Sequence, residues 1–418
     1  MTQTNFLASK PRFEILDGLR GVAALIVVAF HLFEVYSHAR PENQILNHGY
    51  LAVDFFFVLS GFVIGYAYDD RWNKMTVKDF FKRRLIRLHP MLIMGTLIGA
   101  LFFYFAASPA CPLIETAPWW QFLLLVILGC TMLPALVSWD IRGWQETNPL
   151  DGPSWSLLYE YIANILYALV IRRFSKTILI LFVVGSAFFT LDLTLNLDVF
   201  GVLAPRDYAK YTVIGGWSIT PTQMYIGFAR LLYPFFMGLL LFKVNKLIKV
   251  KQGFWWCSLL TTIILVFPRI GGEEHGWMNG VYEAICIIIL FPMIVVMGAG
   301  STITEKRSLE LCKFLGEISY PLYITHYPLV YMQTAWVSLH PDASIGTNIC
   351  MNVATFILAN GIAYACLKLY DIPVRNWLQK RYLVRTQKEK IQQALIPEPM
   401  ADASLDTISA HETMKINT

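Results

Sequence analysis

The sequence predicts an all-α, polytopic membrane bundle of about ten crossing helices plus one re-entrant or interfacial helix, with both termini cytoplasmic. Three observations lead there. The 418-residue chain is 56% hydrophobic and only 15% charged, where soluble domains carry roughly 25% charge; its mean hydropathy is +0.50. The apolar residues come in blocks of roughly 20, the length that crosses a bilayer core. Lys and Arg gather between the blocks, as they do on the cytoplasmic side of membrane proteins. A disordered chain, a collagen, a disulfide scaffold and an ordinary cytosolic enzyme are excluded by the same numbers. The net charge of +5 is too small to suggest a nucleic-acid partner.

Eleven segments are apolar and long enough to be spans: 15–36, 50–68, 89–107, 119–138, 153–171, 177–193, 227–242, 253–268, 281–299, 318–338 and 347–369. The first carries Arg20 and His31 and has no small-residue cleavage site, so it is a retained helix and not a signal peptide. Basic clusters follow at 71–87, at Arg172-Arg173-Lys176, at Lys243 to Lys251, at Lys306-Arg307-Lys313 and from Arg375 onward. If all eleven segments crossed, the clusters at 172–176 and 243–251 would lie outside. If either 119–138 or 153–171 fails to cross, every cluster lies in the cytoplasm. The resulting division is a cytoplasmic N-terminus (1–14), a membrane domain (15–380) and a polar, disordered cytoplasmic tail (381–418). Residues 194–226 make the longest external loop. The seven cysteines (111, 130, 257, 286, 312, 350, 366) have neither CxxC nor metal-site spacing, so they read as packing residues and no metal is expected.

Ionisable residues inside spans are costly and are functional candidates by default. Arg20 and His31 are eleven residues apart, which places them on one helical face about 16 Å apart along the axis, with Asp17 and Glu34 within about 60° of that face. The helix therefore carries a polar stripe. Asp54 lies near the outer end of the second span, where a carboxylate could hold the His31 imidazole in one tautomer, or merely make local bonds at a helix start. Arg83, Arg84 and Arg87 stand at i,i+3 and i,i+4 spacing before Pro90, so a short helix would turn all three toward one anion. The plainer alternative is positive-inside charge against lipid headgroups. Glu160, Arg230 and His326 are further polar groups in apolar segments, and each needs a partner.

These residues fall in the order of a known pattern. Leu16-Asp17-Gly18-Leu19-Arg20-Gly21, the ten-residue gap from Arg20 to His31, Val53-Asp54-Phe55-Phe56-Phe57-Val58-Leu59-Ser60-Gly61-Phe62, Arg84-x-x-Arg87 before Pro90, Trp155-Ser156-Leu157 with Glu160, Arg230 with Gly238, and Ser319-Tyr320 to His326 together resemble the integral-membrane acyltransferase 3 family. The resemblance runs from about residue 10 to 380, nearly the whole chain. It implies transfer of an acyl group, commonly acetyl, from cytoplasmic acyl-CoA to a glycan or other acceptor, in a bacterial cytoplasmic membrane. It further implies His31 as general base, Arg20, Arg84 and Arg87 as acyl-CoA ligands and Glu160 as an accessory acid. Some relatives add a soluble hydrolase-like domain after the last span; this sequence leaves no room for one there, so acceptor handling is expected of the membrane domain or a partner.

The expected mechanism docks the CoA phosphates and adenine on the Arg83–Arg87 cluster and leads the pantetheine arm past Arg20 toward His31. His31 then takes a proton from an acceptor hydroxyl, with Glu34 or Asp54 stabilising the imidazolium. The partners expected are the bilayer, acyl-CoA (acetyl-CoA first) and a carbohydrate or glycoside. Two rivals use the same buried charges: a secondary transporter, and a non-enzymatic membrane sensor or scaffold.

Overall fold

The computed structural model describes residues 10–37, 40–272 and 274–384; residues 385–418 of the expected disordered tail and most of the short N-terminus lie outside them, while 381–384 continue the last helical rod. Among the described residues the regular structure is helical. The helices are α1 (Glu14–Ser37), α2 (Ala52–Tyr68, preceded by a 3-10 turn at Gly49–Leu51), α3 (Val77–Phe102), α4 (Trp119–Thr131), α5 (Ser154–Leu169), α6 (Lys176–Thr194) and α7 (Pro221–Val244). They are followed by α8 (Gly253–Val266), α9 (Trp277–Ile285), α10 (Phe291–Gly300), α11 (Lys306–Thr325), α12 (Tyr327–Leu339), α13 (Ile345–Cys366) and α14 (Ile372–Leu378). A π-helical turn at Cys286–Leu290 fuses α9 and α10 into one rod, and similar turns carry α13 through α14 to Leu383. Seven of these rods are long and apolar enough to cross a membrane. Large apolar side chains such as Leu181, Val184, Ile349, Val353 and Ile357 point outward from α6 and α13, as a lipid-facing surface requires.

Two helix pairs set the frame, and both rest on missing side chains. Along α2 and α7, a Cβ at Gly61 would strike the Phe235 carbonyl, and one at Gly238 would strike that of Val58. The two backbones are therefore in direct contact, the small-residue packing that membrane helices favour. Along α1 and α11, Gly21 faces Leu315 and Gly316 faces Asp17. This pairing runs parallel, so the stripe on α1 lies beside α11 along its length.

Three expectations change. The third span does not start at 89. Thr76 caps α3 through a reciprocal box, accepting from the Asp79 N–H while the Asp79 carboxylate accepts from the Thr76 N–H. The helix then runs unbroken through the arginines, which ride on the span itself and not on a separate short helix. The segment 318–338 is divided at His326. Pro328 has no N–H to give, and its ring crowds the carbonyl four residues back, so α11 ends at Thr325 and α12 starts afresh. The loop expected at 194–226 is 195–220, because Pro221 opens α7 with Thr220 as its cap.

The ambiguous pair separates by its contacts. Both helices are short, α4 having 13 residues and α5 16. Phe122 of α4 packs on Phe103 and Tyr104 at the end of α3, Gly129 faces Thr96, and the Cys130 backbone meets the His89 ring. So α4 descends antiparallel to α3 and stops halfway down. Along the other half runs α5, where the Tyr161 hydroxyl lies 3.2 Å from His89 and Tyr167 packs on Phe80. The two helices share the length of α3 between them.

Candidate active site

The stripe on α1 resolves into two i,i+3 pairs. Arg20 bonds Asp17 at 3.2 Å, and His31 Nδ1 lies 2.8 Å from Glu34 Oε2. Each pair joins a different polar cluster, one toward each end of the bundle.

At the end where α3 begins, Arg84 Nη2 donates to Glu160 Oε1 at 2.5 Å, and the Ser60 hydroxyl donates to the same oxygen at 2.9 Å. Arg87 is exposed, and its charged neighbours are Arg20, Arg375, Asp371 and Asp17. Arg375 is itself tied to Asp371 at 2.6 Å. Arg83 points elsewhere, toward Tyr68, Asp79 and Arg71. In place of the expected face of Arg83, Arg84 and Arg87, the cluster holds Arg20, Arg84, Arg87 and Arg375, drawn from three rods. Helical spacing alone suggested Arg83. The true fourth member is 288 positions from Arg87 and follows from tertiary packing (375 − 87).

At the other end, His31 stacks on His326 with ring centroids 5.5 Å apart, and Tyr327 stands edge-on at 4.9 Å. A carboxylate can only accept from a neutral imidazole, so Glu34 fixes the proton on Nδ1 and leaves the Nε2 lone pair of His31 available. His326 repeats the arrangement. Its Nδ1 lies 2.8 Å from the Tyr323 carbonyl and 3.1 Å from that of Leu322, and its buried Nε2 has no hydrogen-bond partner among the described residues. The helix break at Pro328 is what brings this second imidazole against the first. Sequence marked His326 as a polar group in a span; nothing in it marked the stacking.

Asp54 and Glu160 do not sit with His31. Asp54 is fully buried and pairs with Arg230 at 2.7 Å; the same guanidinium also donates to the carbonyls of Tyr50 and Gly215. It ties α2, α7 and the loop 195–220 together. Glu160 belongs to the arginine cluster.

A third polar group lies between α4 and α5, and sequence reasoning missed it. Tyr331 donates to Glu146 at 2.6 Å, the Arg142 guanidinium covers the Tyr331 ring at 3.5 Å, and Tyr331 packs edge-on to Tyr327 at 4.7 Å. Asp151 lies nearby with both carboxylate oxygens unbonded. Burial pushes Glu146 from the ordinary 4.5 up to about 7; burial, then the Glu146 charge, raise Asp151 as well. Below pH 4.5 folded and unfolded chains both hold the Glu146 proton. Between 4.5 and 7 only the folded chain keeps it, so stability falls as pH rises through that window and levels off above. The loss amounts to about 3 kcal/mol at most. Melting curves from pH 5 to 8 should show wild type losing more stability than Glu146→Gln; parallel curves would mean that Glu146 is ionised throughout.

Known proteins share this chain's pattern. The model of the acyltransferase 3 family, described as an acyltransferase domain, matches residues 13–368. Protein 2 in the picA locus of Rhizobium radiobacter is 32% identical over 164 residues, covering 38% of this chain and 81% of that protein. O-acetyltransferase OatA of Staphylococcus aureus is 24% identical over 330 residues, covering 75% of this chain and 50% of OatA. The chain thus spans about half the length of the staphylococcal relatives it matches. No solved structure matches it.

Proposed function

Because the chain belongs to the acyltransferase 3 family, we propose that it transfers an acyl group, acetyl first, from cytoplasmic acyl-CoA to a hydroxyl of a glycan or other glycoside. The observation that carries this is one helix bearing both ends of the reaction. Arg20 joins a guanidinium cluster, and His31 presents a free Nε2 about 16 Å further along α1.

The donor's phosphates bind Arg20, Arg84, Arg87 and Arg375, whose planar donors suit phosphate oxygens. Glu160 holds Arg84 in place and is a positioning residue. The pantetheine arm follows α1 toward His31. Nε2 of His31 takes the proton of the acceptor hydroxyl as its oxygen attacks the thioester carbonyl. The C–S bond breaks, the new C–O ester bond stays, and the CoA thiolate recovers the proton from the imidazolium. Glu34 orients the ring and stabilises its charged form. His326, with its own unpartnered Nε2, accepts a hydrogen bond from acceptor or water at the same place.

The topology proposed has ten crossings in a bacterial inner membrane, with α4 as the segment that turns back and α11 with α12 as one bent crossing. This keeps every basic cluster in the cytoplasm and puts His31 toward the far face. It is supported by the halt of α4 beside His89.

Acetyl-CoA titrations on nanodisc-embedded protein test the donor site. Arg87→Gln, which leaves no buried partner behind, should weaken binding about tenfold, the value of one charge-assisted contact. Arg84→Ala/Arg87→Ala should weaken it further, and both losses should shrink at high salt. Folded protein that binds no acyl-CoA, or binds it equally well without these arginines, would overturn the assignment.

A further inference from the structure

At the end of the bundle away from the arginine cluster, the loop 195–220 and the segment around 144 enclose a groove of roughly 690 Å³. Its size is that of a small-molecule site. The walls are tied together, since the Thr147 N–H donates to the Trp217 carbonyl at 2.7 Å. Three aromatic rings line it: Trp144, Tyr208 and Trp217. Trp144 is held rigidly, its indole N–H bonded to the Ala110 carbonyl at 2.8 Å and its ring 5.4 Å from Tyr331.

The polar residues of the wall are incompletely used. Arg206 lines the groove and is only 1% exposed, and among the described residues its Nε and Nη1 have no hydrogen-bond partner; Nη2 is spent on the Ala209 and Thr212 carbonyls. Burial pushes Arg206 down to about 10, which leaves it charged at neutral pH. The Ser218 hydroxyl, 3% exposed and also on the wall, is equally unpartnered. Buried donors left open cost free energy unless something bonds them.

We propose that this groove is the acceptor site and that it takes an acidic saccharide, its sugar faces on Trp144, Tyr208 and Trp217 and its carboxylate or other anionic group on Arg206 and Ser218. A sugar ring offers an apolar C–H face for aromatic rings and a rim of hydroxyls for polar walls. A buried guanidinium with two unpartnered nitrogens selects an anion over a hydroxyl. A chain of packed rings runs from one wall of the groove to His31. From Trp144 the aromatic contacts pass through Tyr331 and Tyr327 to His31, and Glu146 follows Trp144 by two residues. This assignment deepens the acyl-transfer reading, on which it rests for calling the ligand an acceptor.

An array of acidic and neutral oligosaccharides, probed with the full-length protein in detergent, tests the groove by binding alone. Capture should concentrate on acidic glycans and fall at least about tenfold in Trp217→Ala and in Tyr208→Ala, whose ring is already half exposed and so leaves the fold intact. Arg206→Gln should remove the preference for acidic over neutral glycans. No capture, capture unchanged in the ring variants, or equal capture of neutral glycans by wild type would overturn the proposal. Acidic glycan capture by a protein that transfers no acyl group to the captured glycans would leave the groove standing and overturn the reaction. Transfer that the ring variants leave untouched would do the reverse.

Discussion

Replacing His31 by glutamine should lower the proposed acyl transfer by about 10² to 10⁴-fold, the range lost when a positioned general base is removed, and should leave acetyl-CoA affinity unchanged. The split follows from the distance along α1. His31 touches Glu34, His326 and Tyr327, and none of these belongs to the arginine cluster. Glutamine fills similar space and preserves a polar contact to Glu34, but it offers no lone pair basic enough to take a hydroxyl proton. Glu34→Gln should cost less than His31→Gln, because the amide oxygen can still accept from Nδ1–H. Turnover of acetyl-CoA and radiolabelled transfer to acceptor, measured beside donor affinity, check both. A His31→Gln enzyme with full turnover would remove the base from the proposed mechanism. Donor affinity lost together with turnover would place His31 in the binding site.

What the sequence made legible follows a physical line. The His31–Glu34 and Asp17–Arg20 pairs lie within one turn of one helix, and helical periodicity alone brings their side chains together. Arg84 and Glu160 are 76 positions apart and Asp54 and Arg230 are 176. Their pairing is decided by how α2, α3, α5 and α7 pack, which no local rule contains. The assignment of Asp54 to the imidazole failed for this reason: it is placed near the correct end of the bundle, but a guanidinium from α7 reaches it. Span boundaries failed differently. Hydropathy windows exclude charged turns, yet Lys and Arg are good helix formers whose stems lie along apolar surface. The α3 helix therefore starts about three turns early, at a Thr76-x-x-Asp79 cap whose signature was readable. Pro328 was equally readable as a helix break. That the break would stack His326 on His31 was not.

Converting Arg230 to methionine should destabilise the protein by about 3–5 kcal/mol, the cost of leaving a buried charge without its partner. Asp54 is 0% exposed, so no water reaches the carboxylate that Arg230 now contacts at 2.7 Å. The loss should not be confined to that ion pair. Arg230 also bonds the Tyr50 and Gly215 carbonyls, and its guanidinium lies 5.2 Å from the Trp155 ring, against which Gly216 packs. The loop 195–220 is thereby anchored to the α2–α7 pair, whose Gly61 and Gly238 contacts tolerate no shift. Asp54→Leu/Arg230→Met removes both charges and should recover part of the loss, with a coupling of about 1–3 kcal/mol between the two sites. Recovery stays incomplete because the two carbonyls still lack donors. Melting temperatures of the four proteins in one detergent close the cycle. Additive losses would mean that the pair is not coupled. A stable Arg230→Met protein with impaired transfer would move this pair from holding the fold to serving the reaction, since a structural tie cannot be cut without a change in stability.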